Sequence, residues 1–176
     1  MNTAKKTAIC GAFCALLLAT QYVFNAIKGV ELVTLLFVTF CFTFGGVCCF
    51  LVAVAFCLLR CLIYGFFPSV VVLYLIYYPM LALAASALGK VLKGSSVLRQ
   101  AIVVTVFSVF FTVIFSVIDC IVTPLFYSYT KSVWVAYIYQ CAPVCLIQCV
   151  CVGISVGLLF TPLKSAFEVV KRHIDR

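Results

Sequence analysis

Acidic residues are nearly missing from this chain: there are four, against twelve lysines and arginines. Charged residues of both signs make up only 9% of it, too few to solvate a soluble domain or to keep a chain disordered. Histidine occurs once, as His173 near the end of the sequence. No Ser–His or Cys–His pair can therefore form inside an apolar segment. An HExxH element is also missing. An enzyme is not expected. Neither is a metal or other cofactor, because imidazoles and carboxylates to complete a cysteine site are so scarce.

What the chain has instead is apolar side chains, 67% of the total. That composition belongs to an all-α integral membrane protein, a single membrane domain over residues 1–176 with no room for a separate soluble domain. The net charge of +8 is read as lysines and arginines on cytoplasmic segments, not as a nucleic-acid surface. The twelve cysteines lie almost entirely inside apolar runs, and such a chain is not a short, secreted disulfide framework. Cys141, Cys145 and Cys149 share a helix face by their spacing. They are read as small, polarizable packing residues in a bundle.

The stretch from Gly29 to Gly65 sets the topology. Glu31 and Arg60 bracket about twenty-eight uncharged residues, with Gly45-Gly46 near the middle. As one helix this would be a rod of about 42 Å, too long for a bilayer core of about 30 Å without strong tilt. Two arms with a Gly-Gly turn fit better. Glycine accepts positive φ freely, and the two end charges can snorkel.

The expected spans are about 7–24, 30–44, 46–64, 69–88, 100–122 and 133–160. Lys5 and Lys6 before the first apolar run could suggest a signal peptide, but the run is long and no clean cleavage site follows. It is read as a retained first helix. Pro68 starts the fourth span, a polar loop begins near Pro124, Pro143 kinks the sixth span, and Pro162 ends it. Residues 163–176 then form a cytoplasmic amphipathic tail, with Leu163, Phe167 and Val170 on one side. Six spans put both termini on one side. With that side cytoplasmic, it holds Lys5, Lys6, Lys90, Lys93, Arg99, Lys164, Lys171, Arg172 and Arg176, and the outer side holds only Lys28, Lys131 and Arg60. Reading the hairpin as a single span would reverse the basic loop and the tail.

This topology gathers the unusual polar residues at the outer leaflet: Asn25, Lys28, Glu31, Arg60, Tyr64, Tyr74, Tyr78, Asp119, Trp134, Tyr137 and Gln140. Charges at membrane depth are expensive and usually face a cavity or a partner. Aromatic walls with a few fixed polar groups are the usual form of a small-molecule site. Glu31 and Arg60, at matched depth, are expected to pair there. Asp119 faces either that pocket or the interface, and Tyr and Trp residues also populate aromatic belts. Arg60 and Lys28 are candidates to hold a carboxylate or phosphate, and Glu31 and Asp119 an amine or ring N–H. In the first span Ala4, Ala8 and Ala12 recur every four residues, with Gly11, Ala15 and Ala19 beside them. Such a strip packs either within the bundle or against another membrane protein.

With these residues in view, the chain resembles a substrate-binding S component of an energy-coupling factor (ECF) transporter of the vitamin or micronutrient type. The AxxxA spacing of Ala8 and Ala12 carries the resemblance, with the segments NAIKGVELVTLL (residues 25–36) and RCLIYGFFPSVVVLYLIYYP (residues 60–79). The resemblance implies a multi-pass protein of the bacterial cell membrane that captures a vitamin-like molecule outside and has no ATPase activity of its own. It also implies partners: a transmembrane coupling subunit and two ABC ATPases. Ala8 and Ala12, with Ala4 and Ala15 on the same strip, would dock to the coupling subunit, and residues 25–31 would cover the pocket. Arg60 departs from the family, which often has an acidic or small residue there. The rival reading is a stand-alone secondary transporter or channel for a small solute. Such proteins place sites near the midplane between repeats and broken helices, and no internal repeat is evident.

Overall fold

The computed structural model describes residues 3–27 and 30–175. Six helices follow in order: α1 (Thr3–Phe24), α2 (Val33–Phe44), α3 (Gly46–Tyr64), α4 (Pro68–Val91), α5 (Val97–Phe126) and α6 (Lys131–Asp175). All but α2 are long and apolar enough to cross a membrane. The chain thus has the build of a multi-pass helical membrane protein.

The short helix is the centre. Eight of the twelve residues of α2 are buried, and α2 touches each of the other five helices. Phe37, Phe40 and Cys41 are sealed completely. Around them, Phe13 stacks on Phe40 at 3.9 Å, and Tyr78 meets Phe37 edge-on at 5.2 Å. The α2–α3 turn forms where glycine is needed: Gly45 and Gly46 have φ of 62° and 67°, values a side chain with a Cβ seldom adopts. Nearby, α4 crosses α2 so closely that a Cβ on Gly89 would run into the Phe42 carbonyl.

Proline behaves differently from expectation. Pro162 does not end α6, which continues to Asp175, and Pro124 lies inside α5, not at a loop. Pro79 likewise lies inside α4 without ending it. Proline forfeits one backbone bond and strains a turn, but tertiary contacts beyond it can keep the helix going. Past Pro162, Leu163 and Phe167 pack on the core. Phe167 meets the rings of Phe13 and Phe40 edge-on at 5.7 and 6.0 Å. Lys171 Nζ donates to the Thr43 carbonyl at 2.6 Å. Residues 163–173 are therefore a docked extension of α6, not a separate interfacial tail, and only Val170 of the expected apolar face stays exposed. The other boundaries also move: α1 starts at Thr3, α2 at Val33, and α5 at Val97, where Ser96 accepts the Arg99 backbone N–H at 3.4 Å.

Candidate functional site

At the end of the bundle where α1 finishes and α2 begins, the chain runs without helix through residues 30–32. Glu31 sits in that bend. Its Oε1 accepts two bonds from Thr34, one from the backbone N–H at 3.2 Å and one from the hydroxyl at 3.0 Å. The first amides of a helix have no partner within it, and a carboxylate suits the positive end of its dipole. Glu31 thus caps α2. Its own N–H donates to Cys151 Sγ of α6 at 3.4 Å, so the bend is anchored to two helices.

Two adjoining hollows open beside it. The larger, about 260 Å³, is lined by Gln21, Asn25, Glu31, Tyr74, Tyr78 and Gln148 with several apolar neighbours. The smaller, about 80 Å³, is lined by Glu31, Thr34, Tyr74, Tyr77, Tyr78, Thr112, Phe115 and Gln148. Tyr74, Tyr77, Tyr78 and Phe115 form a contiguous aromatic wall. Tyr77 meets Phe115 at 4.9 Å and Tyr78 at 5.2 Å, and Tyr74 meets Tyr78 at 5.1 Å. Gln21 Nε2 donates to the Tyr74 hydroxyl at 3.2 Å, while the other end of that amide is buried without a partner.

The expected Glu31–Arg60 pair is not made. Among the described residues the ion pair is Lys164–Glu168, at 3.4 Å. Arg60 instead lays its guanidinium over the rings of Tyr74 and Tyr64, 4.1 and 5.1 Å from their centroids. Its Nε and the Tyr64 hydroxyl are buried without partners. Arg60 and Tyr64 line neither hollow. Glu31 lines both hollows together with Tyr74, whereas Arg60 lies over the Tyr74 ring and lines neither. Rotation about a helix axis, which decides this, leaves little mark on a uniformly apolar sequence.

Asp119 does not reach the hollows either. Its Oδ1 accepts from the Thr123 hydroxyl and its Oδ2 from the Tyr137 hydroxyl, both at 2.7 Å. Trp134 Nε1 donates to the Cys120 carbonyl at 2.9 Å. These residues tie α5 to α6, and Gln140 beside them is exposed. The expected single cluster is therefore two: a cavity around Glu31, and a structural tie around Asp119. Lys28 lies outside the described residues. Gln21, Thr34, Tyr77, Thr112, Phe115 and Gln148 line the cavity beyond what was expected. Gln21 and Gln148 could have been found, since an isolated amide within an apolar span is itself a signal.

On α1, Phe13, Cys14 and Leu17 face the core, with Cys14 Sγ donating to the Val52 carbonyl at 3.5 Å. Ala4, Ala8, Gly11, Ala12, Ala15 and Ala19 are exposed, so the small-residue strip faces away from the bundle. At the opposite end, a basic hollow of about 550 Å³ is lined by Lys90, Lys93, Lys164, Lys171 and Glu168 among others. Two of its lysines are already engaged internally, Lys171 as above and Lys164 through the Gln100 Oε1 at 2.6 Å. All twelve cysteines are free.

The chain matches no protein-family model, no curated protein and no solved structure. Fold and cavity together define a class: a multi-pass helical membrane protein with a polar, tyrosine-walled recess at one end.

Proposed function

We propose that this chain is the substrate-binding S component of an ECF-type importer in a bacterial cell membrane. It captures a vitamin-sized molecule in the Glu31 cavity on the outer side. Release inside then runs through a transmembrane coupling subunit driven by two ABC ATPases. In this reading the chain crosses the bilayer six times, with both termini cytoplasmic. The basic residues Lys90, Lys93, Arg99, Lys164, Lys171 and Arg172 fall on the cytoplasmic side, as the positive-inside rule favours. The twelve residues of α2 make a rod of only about 18 Å. Irregular backbone at membrane depth is tolerated where it is buried in protein or lines a cavity, and residues 30–32 line one.

The observation that carries the proposal is the division of labour across the bundle. The polar recess lies at one end, while α1 exposes Ala8, Gly11, Ala12, Ala15 and Ala19 away from it. Small residues let helix backbones approach closely in a bilayer. The test replaces Ala8 and Ala12 together with leucine. Uptake and copurification of the coupling subunit should be lost while ligand binding by the isolated chain persists. Uptake that continues in a host lacking every ECF coupling subunit would instead identify a stand-alone transporter or channel.

A further inference from the structure

We infer that the ligand of the Glu31 cavity is an organic cation, a protonated amine or positively charged nitrogen heterocycle. This inference rests on the reading of the cavity as a capture site and adds the chemistry of what is captured.

Glu31 is the only acidic side chain lining either hollow, and no lysine or arginine lines them, among the described residues. Its Oε1 is taken by Thr34, and its Oε2 accepts no hydrogen bond from them. No lysine or arginine among the described lining residues balances it. A half-buried carboxylate gains from a counter-charge held beside it, and a bound cation supplies one. The walls point the same way. Tyr74, Tyr77, Tyr78 and Phe115 present an aromatic box on the carboxylate's side of the bundle, and ring faces attract cations. Arg60, expected to hold an anion, is instead stacked on Tyr74 and lines neither hollow. Gln21, whose amide oxygen is buried without a partner, also lines the larger hollow. The volumes, about 260 and 80 Å³, suit a single ring with a short substituent better than a large conjugate.

The experiment uses the full chain in nanodiscs and a mixture of water-soluble vitamins of each charge class, together with a small-molecule fraction of yeast extract. Native mass spectrometry reads which masses are retained. The wild type should retain a cation. Glu31→Gln, which still accepts from Thr34, should weaken that binding at least about thirtyfold, with only a small fall in the thermal midpoint from the weaker cap of α2. Tyr77→Phe should keep the affinity and Tyr77→Leu should lower it about tenfold, a split expected from ring attraction. Retention of an anionic or neutral solute, or indifference to Glu31→Gln, overturns the cation assignment and leaves the capture reading standing. Retention of nothing from either mixture overturns both.

Discussion

The guanidinium carbon of Arg60 lies 4.1 Å from the centre of the Tyr74 ring. The Tyr74 hydroxyl in turn accepts from Gln21, and the ring forms part of the wall beside Glu31. Arg60 is therefore a positioning residue behind the cavity. A cation over a ring contributes about 0.5–2 kcal/mol. Arg60→Ala should lower ligand affinity about tenfold, and Arg60→Lys should restore most of it. Equilibrium dialysis with the retained ligand measures both; unchanged affinity in Arg60→Ala would detach Tyr74's position from binding.

The α5–α6 tie should be separable from the cavity. Asp119→Asn leaves the Tyr137 and Thr123 hydroxyls a weaker acceptor, and hydrogen bonds to charged groups contribute about 1.5–3 kcal/mol. The thermal midpoint should fall by several degrees with ligand affinity unchanged within about twofold. A large affinity loss without a stability loss would put Asp119 back in the binding site.

The docked end of α6 makes a similar prediction. Phe167→Ala removes a ring packed against Phe13, Phe40 and Phe44, a loss of about 2–4 kcal/mol for a partly buried phenylalanine. Buried Cys14, Cys41, Cys49 and Cys57 make unfolding readable with a thiol-reactive dye. A tail that merely rested on a lipid surface would leave the midpoint where it was.

At the α2–α4 crossing, Gly89→Ala places a methyl against the Phe42 backbone, where no side chain can swing aside. Overpacking of this kind costs about 1–3 kcal/mol. The same dye assay should show a lower midpoint, whereas Gly11→Ala, on the exposed face of α1 with open space around it, serves as a control for a helical glycine whose neighbours do not crowd it.

Apolar runs and the charges between them made the six helices legible, and Gly45-Gly46 marked the turn between α2 and α3. These are features of position along the chain, which hydrophobicity and backbone freedom report directly. Position around a helix was harder to read. In spans that are apolar on every side, no polar face shows which way Arg60 or Asp119 turns. Arg60 stacks on Tyr74 and Asp119 accepts from Tyr137, and neither lines the cavity. Local proline chemistry also misled at Pro162, where Phe167 and Lys171, far along the helix, hold the chain on course. On α1 the outcome was the reverse: Phe13, Cys14 and Leu17 take the inner face, which leaves the alanines outside.

The most direct measurement is native mass spectrometry of the protein purified gently from its own membrane, beside a Thr112→Trp variant that fills the smaller hollow next to Tyr77 and Phe115. The account predicts one small molecule per chain on the wild type and none on the variant, with both proteins equally folded. A wild type that carries nothing and takes up nothing, or a variant that keeps the same molecule at the same occupancy, would contradict it.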